Sequence, residues 1–596
     1  MTLAQCCRSP KALLQPLFGL LGITFVAACS SSSGGGGGAT AAPMEAGATS
    51  TTTYPATDSN ASCAATVTQG SMQGKVAGAT CEYLGIPYGA PPTQSLRFMP
   101  PTPAPSWPSM RNATAYGPSC LQAGSTLGSV GATSEDCLSL NIFTPTAAPA
   151  KPLPVMVFIY GGAFTSGSSS LYDGQALSER GPVLVVTMNY RLGALGFLSL
   201  PELDALRPGK PSGSDGIRDQ QLALQWVQDN IATFHGDKTN VTVFGESAGS
   251  TSTCIHIVSP GSQGLANRYI MESGACVGKS PELNTKAETV QISEELATTF
   301  CAGGVDGGTP DGAAPDGGDF DATSPGVVNC LQIADPTQLM TWVPAAGAPT
   351  TPLNTLLGNL TGPPFAPTVE GTGGVLPDLP SNLIASGSFN KNAAVLAGTN
   401  ENEWGLFVYL ATNAAFGGSA SSPLNIMTAA QLNQGIEMIY GTQAAMVEGQ
   451  YPATDATAPQ VFIDLVTDYG FRCPTRQLAR SLLAQGTKDY FLYSYDIGKA
   501  WHSFELVPLF DVTELTLLGA AKPSSGYDSE MQGYWAQFAT TGNPNGVGDG
   551  GAPVWPSYTT ATDQYLELMD PTPMAIANFR KVQCDFWDSF TPASSL

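Results

Sequence analysis

The chain has 596 residues, with 24 lysines and arginines against 47 aspartates and glutamates, and a formal net charge of −23. Such a balance argues against a nucleic-acid partner, because phosphate binding needs concentrated basic charge. A hydrophobic fraction of 42%, with 67 glycines and 47 prolines, points to a loop-rich globular enzyme or binding protein.

Residues 1–28 read as a signal peptide: Arg8 and Lys11 form a basic start, 17–25 an apolar run, and Val26, Ala27 and Ala28 the small residues before a cleavage site. Cys29 directly follows, which resembles a bacterial lipoprotein lipobox and implies lipidation of Cys29 and attachment to a membrane. An ordinary signal peptide cut nearby, with Cys29 unmodified, is the alternative. Residues 29–60, rich in Ser, Gly and Thr, read as a flexible tether. The expected location is the cell envelope, lipid-anchored, or otherwise the secreted fraction. Cys6, Cys7 and Cys29 fall outside the mature domain at 61–596, which keeps ten of the 13 cysteines. An even number in an exported chain favours disulfides over metal ligation, and no Cys-x-x-Cys or His-rich cluster suggests a metal.

Within 61–596, apolar runs at 155–159, 183–188, 241–244, 269–271, 393–396 and 491–495 alternate with helical patterns such as 221–231. That alternation predicts an α/β fold with a mostly parallel sheet and helices on both faces. A stretch of Asp, Gly, Ala and Pro at 303–326 reads as a disordered insertion.

The strand at 241–244 runs into Gly245-Glu246-Ser247-Ala248-Gly249, a Gly-x-Ser-x-Gly elbow that exposes a serine hydroxyl at a helix start. A serine needs a base, and three histidines exist. His235 and His256 read as loop or packing residues. His502 follows the strand at 491–495, on a loop that can overhang the site. The turn after 393–396 carries Glu401 and Glu403; Glu403 is the chosen acid and Glu401 the runner-up. The chain order Ser247, Glu403, His502 is that of α/β-hydrolases. After the strand at 155–159 comes Tyr160-Gly161-Gly162-Ala163-Phe164, where the amides of Gly162 and Ala163, joined by that of Ala248, are candidate oxyanion donors. Taken alone, such a loop also reads as a tight turn that ends a strand.

These motifs, with Gly85-Ile86-Pro87-Tyr88, Glu135-Asp136-Cys137-Leu138, Asn189-Tyr190-Arg191, Asp219-Gln220 and Tyr534-Trp535, occur in the order of the type B carboxylesterase and lipase family, which the chain resembles over most of its mature length. The resemblance implies an α/β-hydrolase fold and an ester hydrolase with no cofactor. It implies Ser247 as nucleophile, Glu403 as acid and His502 as base. It also implies disulfides Cys120–Cys137, Cys301–Cys330 and Cys473–Cys584. Parity then pairs Cys63 with Cys81 and Cys254 with Cys276. The sequence departs from the family at Ala163, in place of a third glycine, and at Asn402 and Trp404, in place of Asp and Gly. The loop between Cys120 and Cys137 has no aromatic residue, which disfavours a choline ester as substrate. A small-molecule or lipid ester is expected, with 165–172 and 341–364 shaping its pockets. The competing class is a non-catalytic binding or adhesion protein on the same fold.

Overall fold

The computed structural model describes residues 62–125, 128–278, 283–302, 326–344, 363–416, 427–523, 526–546 and 553–590. The signal segment, Cys29, the tether and nearly all of the 303–326 insertion lie outside the described residues, as do residues 345–362 of the second pocket loop.

One sheet of 11 strands organises the described chain. In chain order the strands are β1 Lys75–Ala77, β2 Thr80–Pro87, β3 Ser139–Pro145, β4 Leu153–Ile159, β5 Leu184–Met188, β6 Gly236–Glu246, β7 Arg268–Glu272, β8 Ala394–Asn400, β9 Tyr490–Tyr495, β10 Gln564–Leu568 and β11 Met574–Ala577. In space they run β11-β10-β9-β8-β7-β6-β4-β5-β3-β2-β1. The consecutive stretch from β10 to β5 is parallel, whereas β11 at one end and β3, β2 and β1 at the other pair antiparallel.

All six runs read from the sequence lie in this parallel centre. The reason is burial on both faces, which leaves each strand a continuous apolar word: every residue of β4, β5, β8 and β9 is buried. The outer strands β1, β2, β3, β10 and β11 were not anticipated. In β1 and β11 most residues are exposed or half-buried, so their pattern is diluted.

Five helices matter for the site: α1 Asp215–Asn230, α2 Ala248–Val258, α3 Trp404–Phe416, α4 Cys473–Ala484 and α5 Lys581–Ser589. Helix α1 begins six residues before the run at 221–231. Its first turns carry buried charges, Asp215 with Arg207 at 2.5 Å, Asp219 with Arg191 at 2.7 Å, and Arg218 with Glu370 at 2.9 Å. Paired ions stand where a periodic search expects apolar residues, and this hides the start.

Five disulfides tie the described chain: Cys63–Cys81, Cys120–Cys137, Cys254–Cys276, Cys301–Cys330 and Cys473–Cys584. The last joins α4 to α5 across 111 residues, beside a second apolar cluster built from Trp404, Tyr440, Tyr451 and Trp587. The parallel strands share one direction, so the segments after β4, β6, β7, β8 and β9 all leave the same edge of the sheet. In open α/β sheets that edge is where ligands bind.

Candidate active site

Ser247 sits between β6 and α2 with φ 57° and ψ −123°, a conformation that L residues adopt only under constraint. The constraint is visible on both sides. The Ser247 amide donates to the Glu272 carbonyl at 2.8 Å, and the Ser247 carbonyl accepts from the Thr251 amide at 2.9 Å. A Cβ on Gly249 would lie 1.9 Å from the Ile159 carbonyl oxygen, and one on Gly245 2.5 Å from the Gly249 oxygen. Only glycine allows strand, turn and helix to cross this closely. The two motif glycines therefore serve the crossing of β4, β6 and α2.

The turn after β4 lies against this elbow. A Cβ on Gly161 would stand 2.8 Å from the Ser247 Cβ, so the two backbones are in contact. Gly162, Ala163 and Phe164 follow with φ of 110°, 53° and 57°. Ala163 thus takes, without being glycine, a left-handed conformation. The turn closes on itself through the Gly162 carbonyl, which accepts from the amides of Thr165 and Ser166 at 3.0 Å each. Ala248 is the first residue of α2, so its N–H is one of those that a helix start leaves without an intrahelical acceptor. The first pocket loop is compact: Ser166, Ser168 and Ser169 are buried, and the Ser168 hydroxyl caps the turn at Ser170.

After β8, Glu403 is fully buried. One of its oxygens accepts from the Asn400 amide at 2.7 Å, and the other lies 2.6 Å from His502 Nδ1. The loops that carry the two residues are laced together, since the Asn402 amide donates to the Ala500 carbonyl at 2.9 Å and the Asn402 side chain to that of Lys499 at 3.2 Å. Asn402, one of the departures noted above, thus holds the acid turn in register with the histidine loop. Glu401, the runner-up, instead pairs with Arg472 at 3.2 Å and is a third exposed.

His502 is 4% exposed, with the rings of Phe407 and Phe471 each 5.1 Å from its own. Trp404, the other departure, packs at a tilt against both phenylalanines. With Nδ1 engaged by Glu403, Nε2 is the outer nitrogen. It stands 3.2 Å from Glu246 Oε1 and makes no hydrogen bond, so the structure brings Glu403 and His502 together but shows no hydrogen bond from Ser247 to His502. Burial pulls the imidazole pKa down, but Glu246, Glu403 and Glu505 more than reverse this and lift it to about 9.

Behind the histidine lie further buried acids. Glu505 accepts from the Ser273 hydroxyl at 2.9 Å and from the Asn400 side chain. Burial, then repulsion from Glu246 and Glu403, push its pKa up and favour the neutral acid. Burial also pushes Glu272 well up; it accepts from the Trp535 indole at 3.0 Å. Glu246, Glu505, Ser503, Phe407 and Phe471 were not singled out from the sequence. Glu246 had a signal, being the variable position inside the elbow motif. The others lie on loops or helices where spacing carries no information about the site.

The other two histidines stay apart from this chemistry. His235 is exposed at the end of a short 3₁₀ turn. His256 is buried in α2 between Ser262 at 2.8 Å and Gln220 at 3.0 Å.

A doubly flanked parallel sheet with a strained serine elbow at its functional edge defines an α/β-hydrolase. Within that class the chain belongs to the carboxylesterase family, whose family model matches residues 61–587. It is 31% identical over 552 residues to a cholinesterase of Mus musculus, covering 86% of this chain and 84% of that protein. It is a serine ester hydrolase by this membership, and a purely non-catalytic role on the same fold is not favoured.

Proposed function

We propose that the chain hydrolyses carboxylic esters through an acyl-enzyme intermediate formed on Ser247, with His502 as base, Glu403 as the acid that orients it, and the amides of Gly162, Ala163 and Ala248 as oxyanion donors. The observation that carries this reading is the 2.6 Å contact between Glu403 and His502 Nδ1, which leaves Nε2 as the basic nitrogen at the edge where the strained elbow presents Ser247. Catalytic hydrogen bonds are often long in a free enzyme and tighten when substrate binds, so the missing Ser247 contact is compatible with the role. On attack, His502 takes the hydroxyl proton, the carbonyl oxygen turns anionic against the amides, and His502 returns the proton to the departing alcohol. Water then repeats the sequence and frees the acid. His502 carries the proton in each transfer, and the amides hold the oxyanion by hydrogen bonds.

The substrate class is a small-molecule or lipid ester. Although the mouse relative is named a cholinesterase, the loop between Cys120 and Cys137 offers no aromatic face for a quaternary ammonium. Five disulfides fit an oxidising compartment and hence export. Acylation of Cys29, in the manner of a bacterial lipoprotein, follows from the lipobox-like segment. Palmitate label lost in Cys29→Ala supports that anchor; equal label in both proteins removes it.

Turnover of a short p-nitrophenyl ester tests the main reading. Ser247→Ala is expected to lower kcat by several orders of magnitude and to abolish labelling by a fluorophosphonate. Retained turnover or labelling at another residue overturns it.

A further inference from the structure

We propose that Ser503 is a positioning residue whose hydroxyl tethers the Glu246 carboxylate beside the outer nitrogen of His502 and so sets the pH above which that imidazole acts as a base. The inference rests on the reading of His502 as base.

Ser503 directly follows His502, is 2% exposed, and has φ 67°. A residue with a Cβ holds that conformation under strain, whereas glycine adopts it freely. A side chain kept there needs a compensating contact, and the structure shows one. Ser503 Oγ donates to Glu246 Oε1 at 2.6 Å, and the same oxygen stands 3.2 Å from His502 Nε2. One carboxylate oxygen thus faces the serine hydroxyl and the histidine nitrogen together.

Other groups around the imidazole are committed elsewhere. Glu403, on the turn after β8, meets Nδ1. Glu505, on the histidine's own loop, is held by Ser273 and Asn400. Arg472, in the turn that carries Phe471, pairs with Asp468 and Glu401. Phe407 and Phe471 bring no charge. Around Glu246 itself stand the buried acids Glu505 and Glu272 and the phenols of Tyr172 and Tyr493. In so buried and acidic a setting, a donor helps keep Glu246 ionised and aimed at Nε2. Without the Ser503 hydroxyl the carboxylate favours its neutral form more and is held less firmly toward Nε2. Both changes withdraw negative charge from the imidazolium, which then releases its proton at lower pH.

The test is the pH profile of kcat/KM for a p-nitrophenyl ester in Ser503→Gly and Ser503→Ala. In both, the acid limb should move to lower pH by about half a unit, so that activity at the acid end rises about threefold relative to the alkaline plateau. Glycine relaxes the backbone and alanine leaves it strained, so a role confined to backbone strain moves the two variants differently, in thermal unfolding and in the profile. Glu246→Gln should shift the limb further in the same direction, with no added shift from Ser503→Gly in the double variant. An unmoved limb in both serine variants, a shift in one alone, or additive shifts in the double variant overturns the proposal. Failure of the catalytic reading registers separately, as full turnover in Ser247→Ala.

Discussion

Two buried histidines in this molecule experience opposite fates. His256, inside α2, is surrounded by neutral partners, Ser262 and Gln220, and burial drives its pKa down to about 3. His502 is as deeply placed, yet Glu246, Glu403 and Glu505 lift it to about 9. Desolvation disfavours the cation at both sites, so the charge of the neighbours, rather than depth, decides the sign. A buried histidine among neutral groups is a packing residue that happens to bear nitrogens. One beside carboxylates is poised to hold and release a proton.

The sharpest way to break this contrast is to neutralise Glu403, which meets Nδ1 of His502 at 2.6 Å. In Glu403→Gln the amide can present its NH₂ to Nδ1 and favour the wrong tautomer, so kcat for ester hydrolysis should fall on the order of 10³-fold or more. Comparable turnover in the variant and the parent would show that Glu403 is not the orienting group.

A second, smaller effect lies in stability against pH. His502 has a folded pKa above its unfolded value of about 6.5, so its stabilising contribution is complete below that pH and is lost as pH rises through about 9. His256 has a folded pKa below the unfolded value, so the unfolded chain binds the extra proton and stability drains away as pH falls below about 6.5. Thermal unfolding followed across pH should therefore respond in opposite arms. His256→Gln should flatten the acid arm, by about 2 kcal/mol between about pH 6.5 and 4.5, while His502→Gln should flatten the alkaline arm. A single variant that flattened both arms would contradict the distinction.

The smallest expected effect concerns the aromatic walls of His502. A phenyl face stabilises an adjacent imidazolium, and Phe407 lies 5.1 Å away. Phe407→Leu should lower the acid limb of kcat/KM by about 0.4 of a pH unit, a size set by a cation–π contribution of about 0.5 kcal/mol. A limb that moves up instead would mean that the ring acts through desolvation.

Much of the scaffold was legible along the chain because its centre is buried on both faces. Strands β4 and β5 and the apolar runs inside β6 to β9 stand out along the chain, and the elbow announced itself through glycines that the crossing of β4, β6 and α2 requires. The even cysteine count pointed to disulfides, and five are present. The sheet margins escaped notice, since β1 and β11 mix exposed and half-buried residues, and the start of α1 was masked by ion pairs turned inward. At the candidate site the residues in loops with a motif were visible, and those that act on them through space were not. Nothing about the order His502-Ser503 discloses that the serine reaches Glu246, 257 residues earlier.

What the sequence alone determined is the set of local constraints: which segments are strands, where a serine must sit in a strained corner, which strand ends carry an acid and a histidine. Each follows from sterics or burial within a short window. The tertiary structure decided which charges share a dielectric. Glu246 and Glu403 reach His502 only because parallel strands deliver their ends to one edge, and Coulomb interactions depend on separation through space rather than along the chain.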